Sequence, residues 1–276
     1  MRTSDEPTAP AGPGPRLRRS LTAACAAGAG VGLLGGMIGL GGAEFRLPLL
    51  IGLFGFAALQ AVVVNKAMSL AVVLTALPAR LLTVPPAALA PHWPVALNLL
   101  GGSLAGAWAG ASWATRMRTA TLHRVLAGLL VLMAAALVVT HLHGTGPGPD
   151  LPGPVRAVAG LAAGFGIGVV AAVIGVAGGE LLIPTIVLLY GVDIRIAGSL
   201  SLAVSLPTMA VAFARYRRDR AFAALRDNRW FVLAMTAGSV LGTVVGALLL
   251  GVVPDLLLIP VLAVLLLLSA ARLWRH

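Results

Sequence analysis

Four ionisable side chains interrupt otherwise apolar stretches of this sequence: Glu44, Arg46, Lys66 and Glu180. Glu44 and Glu180 hold the same place in a stretch that occurs twice, at residues 30–48 and, 136 residues later, at 166–184. Glycines precede each glutamate and a proline follows it: Gly39, Gly42 and Pro48 in the first copy, Gly175, Gly178 and Pro184 in the second. Glycine permits positive φ and close backbone approach. Proline lacks a donor and suits the first turn of a new helix, so the helix is expected to break in each copy and restart near Pro48 and Pro184. A break at membrane depth leaves unbonded N–H groups and the positive end of a helix dipole, a combination that favours an anion.

The ionisable residues then divide the chemistry. Arg46 and Lys66 attract an anion, and Glu44 or Glu180 binds a proton that accompanies it; the bland alternative is that two acids and two bases pair and cancel. Beside Glu44 stand Arg46 and Lys66, which give it a structural, salt-bridged role. Beside Glu180 stand only Leu181, Leu182 and Ile183, which makes it the expected proton carrier. The second copy has Leu182 and Leu202 where the first has Arg46 and Lys66, so the site is asymmetric in charge. Asn65 and Ser69 match Ser201 and Ser205, with Ser199 nearby. Residues one turn apart share a helix face, and their amide and hydroxyl groups can replace part of an oxyanion's hydration shell or bond a neighbouring backbone. Gly39, Gly42, Gly175, Gly178, Asn65, Ser69, Ser201 and Ser205 are expected to line one central cavity toward which both helix starts point.

Other chemistries find less support. His92, His123, His141, His143 and His276 fall at span ends, no nucleotide-binding motif is present, and no cofactor or metal is expected. An intramembrane enzyme is therefore disfavoured. A permease for a cation or metal that uses Glu44 and Glu180 as ligands is the nearer competitor. Cys25 stands alone, which excludes an intramolecular disulfide.

The elements that must position these residues follow from composition. The chain is 59% hydrophobic and 11% charged, with a mean hydropathy of +0.97. It is an all-α integral membrane protein, because runs that cross ~30 Å of hydrocarbon have no water to bond their backbone. The apolar spans are about 21–42, 45–55, 60–83, 95–114 and 121–141, then 157–178, 181–191, 196–214, 230–250 and 254–273. The repeat persists through Gly102, Gly106 and Gly110 against Gly238, Gly242 and Gly246, small-residue ladders suited to helix packing. Pro78 and Pro207 are expected to kink their spans. The chain thus divides into a disordered tail (1–19), a first repeat (20–143), a Gly/Pro-rich connector (144–156) and a second repeat (157–276).

The net charge of +11 is carried by Arg-rich clusters at 16–19, 116–124, 215–229 and 272–276, without interleaved aromatics. They read as cytoplasmic topology signals and not as a nucleic-acid surface. With both termini inside, each repeat makes an odd number of crossings, and the repeats are inverted. Each then comprises a broken, re-entrant helix pair plus three transmembrane helices; extending 45–55 and 181–191 into full spans gives the same sidedness, and the sequence leaves that choice open.

The glycine-rich stretches ending in Pro48 and Pro184, each followed by Gly55 or Gly191 and an Ala-x-x-Ser-containing span, resemble the two signature regions of the TauE/SafE sulfite exporter family. The resemblance covers about residues 21–273. It implies an inner-membrane permease that moves sulfite, organosulfonates or related small sulfur-containing anions, often proton-linked. The family usually tolerates a neutral residue where Glu44 and Glu180 stand. The partners implied are a small anionic solute and membrane lipid, while the question of a homo-oligomer stays open.

Overall fold

The computed structural model describes residues 20–38, 42–83, 85–143 and 151–248, with Val264, Leu267, Leu268, Ala270 and Ala271. Every regular element among them is helical. The first repeat contains α1 (Leu21–Ile38), α2 (Ala43–Gly52), α3 (Ala58–Thr83), a short α4 (Pro86–Leu89), α5 (Trp93–Ala114) and α6 (Thr119–His143). The second contains α7 (Gly153–Ile174), α8 (Gly179–Tyr190), α9 (Ile194–Tyr216), a short α10 (Ala223–Asp227) and α11 (Arg229–Leu248). Among the described residues, four segments are long and apolar enough to cross a membrane: Ala58–Thr75, Gly153–Ile174, Arg195–Tyr216 and Arg229–Gly246. Outward positions such as Leu97, Val158, Leu233 and Leu241 are exposed and apolar, as a lipid-facing surface requires. The expected tail (1–19) and Gly39 lie outside the described residues, as does nearly all of the 254–273 span.

The helix breaks fall earlier than the prolines. Gly42 (φ 68°) precedes α2, Gly175 (φ 80°) ends α7, and Gly178 (φ 85°) precedes α8. These left-handed conformations are open to glycine at no steric cost. Pro48 and Pro184 lie inside α2 and α8, which corrects the expectation that helices restart at them. Each proline instead removes one intrahelical bond, the one that the Glu44 or Glu180 carbonyl would accept. In the same way α7 begins at Gly153, inside the stretch expected as connector, because Pro154 suits a helix's first turn.

Packing follows the repeat. A Cβ built on Gly28 or Gly32 of α1 would overlap the carbonyl of Met235 or Ser239 of α11, and one on Gly238 or Gly242 would overlap that of Cys25 or Ala29. At positions 136 residues away, Gly164 and Gly168 of α7 meet the carbonyls of Leu99 and Ser103 of α5, while Gly102 and Gly106 meet those of Leu161 and Phe165. In both pairs the contacting numbers rise together, so the helices run parallel. Each repeat therefore contributes its first helix to the other repeat's glycine ladder. The equivalent helices α3 and α9 pack on each other between these pairs.

Four contacts orient the ends. Phe54 and Phe56, just beyond α2, stack on Phe231 at the start of α11, with ring centroids 4.8 Å and 5.3 Å apart. The Tyr190 hydroxyl at the end of α8 donates to Asn98 Oδ1 near the start of α5 at 2.8 Å. Arg215 Nε near the end of α9 donates to Ser112 Oγ near the end of α5 at 2.9 Å.

The glycine ladders yield a direct test. Gly106→Ala, whose methyl meets the Phe165 carbonyl, should destabilise the protein by about 1–3 kcal/mol. Gly128→Ala, whose methyl meets nothing within 4 Å, should be neutral or stabilising, as alanine favours helix. Thermal unfolding of the two variants in one detergent checks this, and equal shifts would contradict the packing described.

Candidate functional site

The end of α7 is sealed by a glycine turn in which Gly175 N and Val176 N both donate to the Ala171 carbonyl at 3.1 Å. α3 crosses this turn, with the carbonyl of Val62 so close to Gly175 that a side chain there would collide. The buried ammonium of Lys66 donates to the carbonyls of Ala171 and Val176, each at 2.7 Å. Ser69 Oγ donates to Gly175 O at 3.4 Å. A cation thus sits on the negative end of the α7 dipole, where it is stabilising. The carbonyls that a broken helix leaves without partners are met by side chains from the other repeat.

Asn65 connects the two breaks. Its Nδ2 donates to Ala43 O, in the first residue of α2, at 2.9 Å and lies 3.4 Å from Ile174 O, in the last residue of α7. The two breaks therefore meet at one place. From the first turns of α2 and α8, the carboxyls of Glu44 and Glu180 come within hydrogen-bonding range of each other. Arg46 acts electrostatically on Glu44, and Lys66 on Glu180. Glu44 Oε2 and both Glu180 oxygens are buried without a well-formed hydrogen bond from any described donor. Asn65 Oδ1 and Ser205 Oγ share that condition among the described residues.

This arrangement changes several expectations. Lys66, read as a partner of Glu44, bonds the carbonyls of Ala171 and Val176 in the other repeat and acts electrostatically on Glu180, so Glu180 does not stand in aliphatic surroundings alone. The reason is tertiary: the fold brings α3 of one repeat onto the break of the other. Asn65, Lys66, Ser69, Ser201 and Ser205 are each at most 2% exposed, so they are sealed from solvent instead of lining an open cavity. A cavity of about 530 Å³ lies instead between α6, α7 and α8. Its walls include Leu132, Ile167, Leu181 and Leu188, and of the expected residues it touches Pro184. Ser201 Oγ donates to Gly198 O in its own helix at 2.9 Å, and Ser199 Oγ to Arg195 O at 3.3 Å. Ser201 thus differs from its α3 counterpart Asn65, which also reaches Ile174 O of the other repeat.

Sequence reasoning missed two further bonds. Tyr216 at the end of α9 donates to Ala172 O at 3.0 Å, and Ser103 Oγ pairs with Thr208 Oγ1 at 2.9 Å. The signal available for the first was that Tyr190 and Tyr216, the two tyrosines of the chain, both close apolar spans. A buried phenol needs an acceptor.

Taken together, the fold and site define a multi-pass helical membrane protein with two matched helix breaks meeting in its interior. Residues 2–137 and 160–276 match the family described as Sulfite exporter TauE/SafE, and the chain belongs to that family. It is a membrane transporter. Neither a curated protein nor a solved structure matches it.

The role of Asn65 can be measured. Asn65→Leu leaves two buried carbonyls short of a donor and should cost about 2 kcal/mol, given ~1–3 kcal/mol for a buried unsatisfied group. Ser201→Ala removes only a bond within its own helix and should cost less than about 1 kcal/mol. The two shifts in thermal unfolding midpoint check this, and equality would deny Asn65 its bridging role.

Proposed function

We propose that the protein is a secondary permease for small sulfur-containing anions, such as sulfite or an organosulfonate, with transport linked to protons. The observation that carries this reading is the meeting of both helix breaks at Asn65, with Glu44, Arg46, Lys66 and the carboxyl oxygens of Glu180 buried around it. Discontinuous helices whose starts converge in the interior are how transporters handle a charged solute away from water. Family membership supports sulfur-containing anions as the class.

The repeats are inverted in this reading. The glycine contacts exchange under a shift of 136 residues, as contacts about a two-fold axis do. α5 ends beside the end of α9, which leads through 217–228 into the start of α11. The parallel pair α5 and α7 therefore opposes the pair α1 and α11. α2 returns to the start of α11 through Phe54 and Phe56, and α8 returns to the start of α5 through Tyr190. These returns favour re-entrant hairpins, α1–α2 from one side and α7–α8 from the other. The Arg-rich segments at 16–19 and 215–229 support a cytoplasmic first hairpin and N-terminus in the inner membrane; the cluster at 272–276 supports the same for the C-terminus.

The carboxyl pair favours a second reading, a permease for a cation, and one experiment separates them. Purified protein in liposomes is challenged with sulfite, sulfoacetate, thiosulfate and a divalent metal under imposed pH gradients. Uptake of a sulfur-containing anion that responds to the gradient is expected. Movement of the metal with none of the anions would replace the proposal by its competitor.

A further inference from the structure

We propose that Glu44 and Glu180 share a single proton across the contact between the two repeats, and that this shared proton is the coupling ion. The inference deepens the reading of the chain as a proton-linked permease and rests on it for the word coupling alone. The geometry is specific. Each carboxyl comes from the first turn of the second half of a broken helix, one per repeat, and the two lie within hydrogen-bonding range of each other. Their buried oxygens, Glu44 Oε2 and Glu180 Oε1 and Oε2, have no well-formed bond from a described donor. Two ionised carboxylates in such contact repel and offer each other only lone pairs.

One proton changes the contact. Uptake forms an O–H bond on one carboxyl and a hydrogen bond to the other; release returns the proton to water and leaves two carboxylates face to face. The pair titrates as a unit, so neither residue alone is the carrier. Of the elements packed around it, α2 contributes Arg46 and α3 contributes Lys66. α9 contributes the neutral Ser201 and Ser205; Arg156 of α7 and Arg195 and Arg215 of α9 lie toward their helix ends, and the described part of α1 has Cys25 as its one ionisable side chain. Each proton taken up makes this neighbourhood more positive by one charge. That favours an anion at the same junction, and by linkage the anion favours the proton equally.

The test uses the full-length chain in lipid nanodiscs. Infrared spectra are recorded from acidic to alkaline pH and followed through the C=O stretch of a protonated carboxyl. Wild type should show a band of this kind at neutral pH that disappears on alkalinisation, and Glu44→Gln or Glu180→Gln should each remove it. The amide preserves size and donates to the remaining carboxylate. Absence of the band in wild type overturns the proposal without recourse to any variant, whether or not the variants fold. Persistence of the band in Glu44→Gln with loss in Glu180→Gln overturns sharing and assigns the proton to Glu180. In liposomes, either substitution should also abolish the acceleration of sulfite uptake by a pH gradient, and retained acceleration overturns the coupling role. If wild type moves none of the anions tested, the permease reading fails while the infrared result still decides whether the proton is shared.

Discussion

A helix interrupted inside a membrane must find partners for the carbonyl and N–H groups at the interruption, since lipid supplies none. At the break between α7 and α8 the structure meets the free carbonyls with side chains of the opposite repeat. α3 carries Asn65, Lys66 and Ser69 along its buried face, and all three donate to carbonyls at the break between α7 and α8. The break survives because α3 crosses it, and α3 can cross because Gly175 has no side chain to meet Val62. The same helix ties in the first break through Ala43. A cation on the α7 C-terminus and two carboxyls at the α2 and α8 N-termini are consequences of this one junction. Helix ends impose their own charge preferences, and the Glu44 and Glu180 carboxyls also meet.

Duplication builds a symmetric frame around an asymmetric centre. The glycine ladders of α5 with α7 and of α1 with α11 are the same contact made twice, backbone against backbone, where no side chain has room to diverge. Where side chains do have room, the halves differ. Ser103 pairs with Thr208, but the counterpart of Thr208 is Val72, and Ser239, the counterpart of Ser103, has no partner among the described residues. Lys66 caps α7, while its counterpart is Leu202. Both bases of the centre, Arg46 and Lys66, thus come from one repeat, while each repeat supplies one of its acids.

The sequence makes the frame legible because the frame depends on local rules. Apolar span lengths, the glycines that permit left-handed turns at Gly42, Gly175 and Gly178, and the spacing of the packing ladders can all be read from neighbours in the chain. The position of the helix starts was less legible, since Pro48 looks like a first-turn residue when the turn at Gly42 is unseen. Least legible was the centre. Glu44 and Glu180 are far apart in sequence, and whether Lys66 serves one or the other depends on which helix crosses which break. Asn65 and Ser201 look equivalent in the alignment of the halves, yet one bonds carbonyls at the breaks of both repeats and the other a carbonyl of its own helix. A hydroxyl or amide on a helix face states what it can bond, not what will be opposite it.

The central claim is that the two breaks meet, with the glutamate two residues after each N-terminal turn glycine facing its counterpart. Cysteines at positions 44 and 180, in a chain carrying Cys25→Ala and a protease site in the connector, allow this to be read directly with a short bifunctional thiol reagent. The account predicts that the two halves stay covalently joined after proteolysis, whereas a control pair at positions 44 and 158, the latter on the exposed face of α7, separates. Separation of the 44–180 pair under the same conditions, in a protein that remains folded, would contradict it.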